Sequence, residues 1–173
     1  MHKIEILQLG NQLLRQNTQP VTDVHQPCIQ ETIQQLHQAI AQHKGVGIAA
    51  PQIGKLLQIL IVASHPNHRY PTAPQMKPLV MINPKIIAHS DVLVKDWEGC
   101  LSIPGIRALV PRYDRLEVEY TSSTGQLSYC DFAGFVARIF QHEYDHLQGK
   151  VFLDRLETPQ EIITEQEYQK RFA

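Results

Sequence analysis

The sequence predicts a single domain that combines α-helices with β-strands. A chain of 173 residues is long enough for one hydrophobic core and short for two, so we expect residues 1–173 to form one domain. Two segments with helical periodicity, near 27–42 and 134–149, lie on either side of a series of short β-rich segments. Hydrophobic residues make up 43% of the chain and charged residues 19%, which are ordinary globular values.

Composition excludes several classes of function. The formal net charge of −1 gives no electrostatic reason to expect nucleic acid or an anionic membrane as a partner. No segment approaches the roughly 20 apolar residues of a transmembrane helix, and Met1–Gly10 does not resemble a signal peptide. Cys28, Cys100 and Cys130 are odd in number and widely spaced, unlike a disulfide framework. We therefore expect a protein of a reducing compartment, the cytoplasm.

The first quarter of the chain predicts irregular structure followed by a helix. Residues 1–24 mix short apolar groups with polar ones, and Pro27 is suited to the first turn of a helix of about 16 residues. Its apolar residues recur at spacings of four, three and four and predict one buried stripe: Ile29, Ile33, Leu36 and Ile40.

The segment 45–52, GVGIAAPQ, is poor in side-chain bulk. Such a composition favours close approach to the backbone, although a helix end followed by a tight turn is the simpler interpretation. Neither phosphate-loop pattern is complete here. Gln52 is a candidate for contact with a substrate because it follows a loop with few polar side chains.

The middle of the chain predicts strands. The apolar segment 56–63 indicates a buried strand, and the four prolines between residues 65 and 78 indicate an exposed loop in which His65 and His68 are solvated. The other predicted strands are 79–82 and 85–89, interrupted by a bulge at Asn83-Pro84, then 107–112, 116–120 and 127–132, the last two forming a hairpin around a turn at 122–125.

Cys100 lies in the segment 97–105, WEGCLSIPG, which predicts a turn or an irregular strand. A free cysteine is usually a small buried hydrophobic residue. As a thiolate, however, it would be a soft metal ligand. We expect Cys130 to pack within its strand, and Cys28 to be a small residue near a helix start.

The segment 141–149, QHEYDHLQG, contains the pattern H-E-x-x-H. On a helix, His142 and His146 lie one turn apart on the same face and can bind one metal ion, with Glu143 beside them. Two adjacent, largely apolar stripes predict a buried helix. They comprise Phe135, Ile139, His142 and His146, and then Val136, Phe140, Glu143 and Leu147, with Arg138, Gln141, Asp145 and Gln148 on the opposite arc. The alternative is a core helix with two hydrogen-bonded histidines.

The end of the chain predicts little regular structure. Residues 151–153 predict a short extended segment, and the acidic tail 157–173 predicts a marginal terminal helix.

Three motifs together resemble the peptide deformylase family. They are GVGIAAPQ at 45–52, EGCLS at 98–102 and QHEYDHLQG at 141–149, in the family's order and spacing. The resemblance extends from the N-terminus to Leu153. It implies an α+β fold in which antiparallel β-sheets surround the H-E-x-x-H helix. It also implies a hydrolase that removes the formyl group from the N-formylmethionine of new polypeptides and releases formate.

The same resemblance assigns the metal site and its chemistry. It implies that Cys100, His142 and His146 bind one divalent metal ion. Fe(II) is the favoured ion in this family, and Ni, Co or Zn can replace it. Three protein ligands leave a fourth position for water, whose pKa falls from about 15.7 towards 7. The resulting hydroxide would attack the formyl carbon, with Glu143 as general base and then general acid.

The resemblance further assigns the groups that contact the substrate. The Gln52 side-chain amide and the Leu101 backbone N–H would stabilise the developing oxyanion. The expected substrate-binding residues are Val46, Gly47, Gly99, Arg107, Phe135, Arg138 and Ile139, with Arg138 at the rim of a methionine pocket. Arg112 is expected to pair with Asp145.

The chain departs from common family patterns in three places. Ala133 stands where an acidic residue is frequent, and the proline-rich loop 65–78 is of variable type. The tail is short and acidic, whereas many bacterial members end in a long basic helix that docks on the ribosome. Ribosome association through the tail is therefore without support in the sequence.

Two other functions compete with a deformylase. A zinc peptidase would need a third ligand downstream, but residue 152 is Phe where a histidine would fall, which leaves the glutamates of the polar tail. A structural metal site or peptide-binding module would need a fourth cysteine or histidine near the other three, and Cys28 and Cys130 lie in no matching motif.

Overall fold

The computed structural model describes residues 3–67 and 70–172. Its three α-helices are α1 (Pro27–His43), α2 (Gly134–Leu147) and α3 (Glu165–Phe172). Its strands are β1 (Gly47–Ala49), β2 (Ile59–Val62), β3 (Leu79–His89), β4 (Leu93–Cys100), β5 (Ile103–Tyr113), β6 (Arg115–Thr121), β7 (Leu127–Ala133) and β8 (Ile162–Thr164). No helix within these ranges has the length and apolar character needed to cross a membrane.

The strands form two antiparallel sheets with α2 packed against both. The five-stranded sheet has the order β1-β2-β3-β6-β7, and the three-stranded sheet has the order β4-β5-β8. Helix α2 contacts β1, β2, β6 and β7 of the larger sheet and β5 of the smaller one. The predicted α+β arrangement, with antiparallel sheets around the H-E-x-x-H helix, is confirmed.

Strand β2 lies at the centre of the molecule because both of its faces are covered. Ile59 and Ile61 belong to the core shared with α1, whereas Leu60 and Val62 belong to the core shared with α2. Successive side chains of a strand point to opposite faces, so a strand between two helices must be apolar at every position. The predicted strand 56–63 is correct in type, but only four of its residues pair as strand.

Helix α1 has the predicted bounds and the predicted buried face. Pro27 occupies its first turn, and Lys44 ends it in the left-handed conformation at φ 53°. The stripe of Ile29, Ile33, Leu36 and Ile40 is buried against the larger sheet.

Several predicted local structures are confirmed. The bulge in β3 lies between Ile82 and Lys85, where Asn83 has φ 49°, and β6 and β7 form the predicted hairpin. Helix α2 begins at Gly134, and Gly149 follows its end at φ 67°. A Cβ at residue 149 would lie 2.6 Å from the carbonyl oxygen of Arg15, so this position requires glycine.

Other local structures differ from the predictions because tertiary pairing decides them. Strand β1 occupies part of 45–52, and residues 97–100 belong to β4, whose first half is exposed and lacks an apolar pattern. Phe152–Arg155 forms a 3-10 helix where an extended segment is predicted. Within the tail, residues 162–164 add a strand to β5 before the terminal helix α3 begins.

The proline-rich loop is more closely packed than predicted. Ser64 and Ala73 are buried, and the Ser64 hydroxyl donates to the Pro74 carbonyl at 2.7 Å. His65 bonds to the Ala63 carbonyl, while the prediction for His68 lies outside the described residues.

Candidate active site

Helix α2 carries the H-E-x-x-H residues into the interior of the molecule. His142 is 9% exposed and His146 is fully buried. The polar arc predicted opposite the apolar stripes is largely buried too, because Arg138, Gln141 and Asp145 all have partners on β4, β5 or the residues that follow α2. From Ala137 to Leu147 every residue of α2 except Tyr144 is buried, so the side chains of this part are held in fixed positions.

Three potential metal ligands converge at this helix. One ligand atom each from Cys100, His142 and His146 lies within 4.8 Å of the others, and Cys100 Sγ is 3.4 Å from His146 Nε2. Cys100 reaches the site because a bulge in the β4–β5 pairing falls between Glu98 and Cys100. Within residues 3–67 and 70–172, no other trio of His, Cys, Asp or Glu side chains converges in this way.

A buried chain of ionic contacts orients the first histidine. His142 Nδ1 lies 2.8 Å from Glu98 Oε2, which leaves the other ring nitrogen for a metal. Arg112 binds both oxygens of Glu98, at 2.9 and 3.0 Å, and reaches Asp145 at 2.6 Å. The predicted pair of Arg112 with Asp145 is therefore present, and it extends through Glu98 to the metal ligand.

The arginine also governs the charge of this carboxylate. Burial alone would raise the pKa of Glu98, but Arg112 and His142 hold it well below its ordinary value. Glu98 therefore remains an anionic acceptor for the imidazole N–H.

The amide of Gln52 is oriented towards the same centre. The Ala49 backbone N–H donates to Gln52 Oε1 at 2.9 Å, so the amide nitrogen must point the other way. That nitrogen lies 3.6 Å from Cys100 Sγ and 3.2 Å from Ser102 Oγ. A buried N–H donor is thus fixed beside the three ligands, as an oxyanion-binding group requires.

Glu143 lies beside the ligands with one oxygen available. Its side chain is buried, and Oε2 has no hydrogen-bond partner among the described residues. A Cβ at Gly47 would lie 2.5 Å from Glu143 Oε1 and 2.8 Å from Ile139 Cγ2. Strand β1 therefore approaches α2 so closely at residue 47 that a side chain there would displace Glu143 or Ile139.

The protonation equilibria suit metal binding and proton transfer. Burial alone would raise the pKa of the Cys100 thiol, but the His146 and His142 imidazoles hold it well below its ordinary value, which favours the thiolate. Burial raises the pKa of Glu143 to about 7, although the same imidazoles oppose this rise. A carboxyl group with a pKa near neutrality can both accept and return a proton.

A cleft of about 540 Å³, including its part open to solvent, leads to these groups. Leu101 and most of the predicted substrate-binding residues line it, namely Val46, Gly47, Gly99, Phe135, Arg138 and Ile139. Phe135 and Ile139 belong to the apolar core around α2, so this end of the cleft is suited to an apolar side chain.

The two predicted arginines differ from expectation. Arg138 is only 6% exposed and donates to Glu98 and to the carbonyls of Val94 and Val110, so it lies within the wall and not at the rim. Arg107 is 1% exposed, does not line the cleft, and donates to Glu165 and to the Tyr70 hydroxyl. Both guanidinium groups are satisfied by the protein itself.

Three further residues of the site were not predicted. Tyr70 and Trp97 line the cleft, and Glu98 orients His142. Of these three residues, Glu98 is the one that the sequence could have indicated. Metal-bound histidines commonly donate to a carboxylate, and the motif EGCLS places a glutamate two residues before the cysteine. Nothing in the proline-rich loop indicates that Tyr70 contacts the site.

The structure shows where the residues that a zinc peptidase or a structural metal site would require are located. Phe152 occupies the space beside the ligands and stacks on His142 at 5.8 Å between ring centroids. Cys28 is exposed and Cys130 lies in the β6–β7 hairpin, so neither belongs to the ligand group. Among the tail glutamates, Glu165 binds Arg107, and Glu157 and Glu161 bind Lys95.

Comparison with known proteins agrees with this site. The family model for polypeptide deformylase matches residues 3–161. A peptide deformylase 2 from Nostoc sp. is 53% identical over 167 residues, which is 96% of this chain and 93% of the relative.

Solved structures show the same fold. A class I type b peptide deformylase from Acinetobacter baumannii, bound to Met-Ala-Ser, has a TM-score of 0.87 and 37% identity over 90% of this chain and 99% of that one. A peptide deformylase from Synechococcus elongatus, in complex with actinonin, has a TM-score of 0.81 and 35% identity over 91% of this chain and 81% of that one. The chain therefore belongs to the polypeptide deformylase family and is an enzyme that removes the N-formyl group from nascent peptides.

Proposed function

We propose that Cys100, His142 and His146 hold the divalent metal ion on which this family depends, and that the whole chain forms one catalytic domain around it. The donor set fits such an ion, since a thiolate and two neutral imidazoles suit several first-row metals. The buried Glu143 Oε2, beside this group, has no hydrogen-bond partner among the described residues. We propose Fe(II) as the native ion, with Ni, Co or Zn as substitutes.

The residues around the ion have different roles in the hydrolysis. When bound, the ion lowers the pKa of water and polarises the formyl oxygen. Glu143 takes the proton of the attacking water on its carboxylate and returns it to the departing amine. The water oxygen bonds to the formyl carbon, the carbon–nitrogen bond breaks, and formate and a free N-terminal amine leave. The Gln52 amide N–H and the Leu101 backbone N–H stabilise the oxyanion that develops between these steps.

The cleft supplies the selectivity for an N-terminal methionine. Val46, Phe135 and Ile139 surround its apolar end, and residues 47 and 99, which also line the cleft, can offer backbone groups to an extended substrate. Arg107 and Arg138 act by shaping the walls, because their guanidinium groups already have protein partners. The Acinetobacter baumannii relative bound to Met-Ala-Ser supports a peptide that begins with methionine as the product.

The observation that carries this proposal is the approach of three metal-ligand atoms to within 4.8 Å of one another, beside a Glu143 oxygen that has no partner in the described part of the chain. The test is formate release from a formyl-Met tripeptide, with cleavage of an unformylated peptide measured in parallel. We expect formate without peptide cleavage. Peptide cleavage without formate would instead identify a metallopeptidase.

Two variants separate metal binding from proton transfer. Glu143→Gln should retain the metal and lose roughly 10²–10⁴ in kcat, the usual contribution of general acid–base catalysis. Cys100→Ser should lose the metal. A Glu143→Gln enzyme with full turnover would contradict the acid–base role, and unchanged metal content in Cys100→Ser would contradict the ligand assignment.

The identity of the metal requires protein purified without oxygen. Elemental analysis should show about one equivalent of iron, and activity should fall in proportion when iron is lost. If the protein instead contained one equivalent of zinc and its activity were unaffected by air, zinc would be the native ion and the assignment of Fe(II) would be wrong.

We also propose a cytoplasmic location and no ribosome docking through the C-terminal tail. The location follows from the substrate, since formylated chains emerge from ribosomes there. The tail pairs with β5 through β8, and α3 has only eight residues with two acidic and two basic side chains. Co-sedimentation with ribosomes tests this, because an interaction abolished by charge reversal of Lys170 and Arg171 would contradict it.

A further inference from the structure

The C-terminal segment, residues 162–172, is packed behind the substrate cleft. Strand β8 pairs with β5 so that Ile163 lies opposite Arg107, and α3 continues from the end of that strand. Trp97, which lines the cleft, packs against Tyr168 and Phe172 of α3, each at 5.8 Å between ring centroids. One cleft residue is therefore backed directly by this segment.

A second cleft residue is connected to the segment through Arg107. Glu165 accepts from Arg107 Nε at 2.6 Å and from Nη2 at 3.2 Å, which fixes the plane of the guanidinium group. The remaining nitrogen, Nη1, donates to the Tyr70 hydroxyl at 3.2 Å. Tyr70 in turn packs against Phe135 across the cleft, at 4.8 Å between ring centroids.

Arg107 is enclosed by this arrangement. It is 1% exposed, and its guanidinium carbon lies 4.6 Å from the centre of the Tyr168 ring. A Cβ built at Gly99, next to the ligand Cys100, would lie 3.4 Å from Arg107 Nε. The guanidinium group therefore lies between the C-terminal helix, the proline-rich loop and the backbone beside the metal site.

We propose that Glu165 and Tyr168 are positioning residues for the methionine pocket: they fix Arg107, which holds Tyr70 against Phe135, and Tyr168 also supports Trp97. The inference rests on the proposed assignment of the cleft as that pocket. It gives the acidic tail a role in substrate selectivity, and it makes Arg107 a structural link between the tail and the pocket.

The expected consequence is on binding of the substrate side chain. Without the Glu165 carboxylate, Arg107 loses a bidentate partner, and the Tyr70 ring is less constrained against Phe135. A loosened wall weakens contact with a long apolar side chain but leaves Glu143, Gln52 and the metal ligands in place. A formyl-Ala peptide, whose methyl group does not reach the wall, is the appropriate comparison substrate.

The test compares Glu165→Gln with Glu167→Gln. Glu167 lies on the same helix, has a half-exposed side chain, and pairs with Lys170, so it controls for loss of one negative charge. For Glu165→Gln we expect KM for a formyl-Met tripeptide to rise roughly threefold to tenfold with kcat within about twofold. KM for the formyl-Ala tripeptide should be unchanged, so the preference for methionine falls. Glu167→Gln should match the unmodified enzyme.

A double-mutant cycle tests the route through the tyrosine hydroxyl. Tyr70→Phe removes the group that Arg107 holds, and it should raise KM for formyl-Met by a similar factor. If Glu165 acts through Arg107 and Tyr70, the double variant should be no worse than the worse single variant. Thermal unfolding of each variant verifies that the fold is kept, and the isosteric Gln at a partly exposed position favours this.

Three results would overturn the inference. They are an unchanged KM in Glu165→Gln, equal losses for the formyl-Met and formyl-Ala peptides, or fully additive effects in the double variant. Failure of the proposed function is distinguishable, since the unmodified enzyme and the Glu167→Gln control would then release no formate.

Discussion

Gly47 brings two elements of the active site into contact without a side chain of its own. Because a Cβ there would overlap Glu143 Oε1 and Ile139 Cγ2, Gly47→Ala must displace the general base or the pocket wall. We expect kcat/KM to fall about 10- to 100-fold, since displacements of about 1 Å have effects of this size. Gly99→Ala, whose new Cβ would make ordinary contacts at 3.4 Å, should lose less. Equal losses in the two variants, measured by formate release, would contradict this order.

Glu98 is the residue on which the orientation of His142 depends. Glu98→Gln removes the negative charge that Arg112, Arg138 and His142 share. Metal affinity should fall roughly 10- to 100-fold, the usual effect of removing a carboxylate partner of a ligating histidine. Chelator competition under anaerobic conditions measures this. Glu119→Gln, which disrupts a pair with the exposed Lys85, is the control, and unchanged affinity in both variants would refute the role of Glu98.

At the level of elements, the position of α2 depends on hydrogen bonds made by its polar side chains as well as on packing of its apolar ones. The Gln141 amide accepts from the Tyr113 backbone N–H at 3.0 Å and donates to its carbonyl at 2.9 Å. Gln141→Leu would remove the partner of both of these partly buried groups and should destabilise the protein by about 1–3 kcal/mol. Urea unfolding at saturating metal measures the change. Gln38→Leu, on the exposed face of α1, should stay within about 0.5 kcal/mol, and the prediction fails if both behave alike.

Sequence periodicity was sufficient for elements whose structure is set locally. The apolar stripe of α1, the β6–β7 hairpin and the start of α2 are all as predicted, because spacing, turn residues and flanking glycines determine them. The burial of Arg138, Gln141 and Asp145 was not predictable from α2 alone, because their partners lie on other elements. Strand β8 was missed for the same reason, since its three residues become a strand only by pairing with β5.

At the scale of the whole molecule, the metal joins elements that are distant in sequence. Cys100 lies at the end of β4, and the two histidines lie on α2, so an ion bound to all three connects the smaller sheet to this helix. Free metal at 100 times its dissociation constant should stabilise the native state by about 2.7 kcal/mol. For a chain of this size, that is a rise of roughly 5–11 °C in the thermal midpoint. Cys100→Ser should lose the metal-dependent rise, and a midpoint independent of metal in the unmodified protein would contradict the site.

The candidate site was predictable to the extent that it is encoded in contiguous motifs. The three motifs supplied Gln52, Cys100, Glu143 and both histidines, and the structure brings these residues together. Tyr70, Trp97 and the role of Glu165 were not predictable, because they depend on how a variable loop and the tail return to the cleft. Such contacts join single residues from distant segments and leave no local pattern.

The enclosure of α2 between two sheets has a consequence for how the enzyme loses activity. From Ala137 to Leu147 every residue of this helix except Tyr144 is buried, so the amide hydrogens of that part should exchange only when the entire fold opens. The catalytic groups should therefore stay assembled until the molecule unfolds. Inactivation on heating and cooperative unfolding should then occur as a single event.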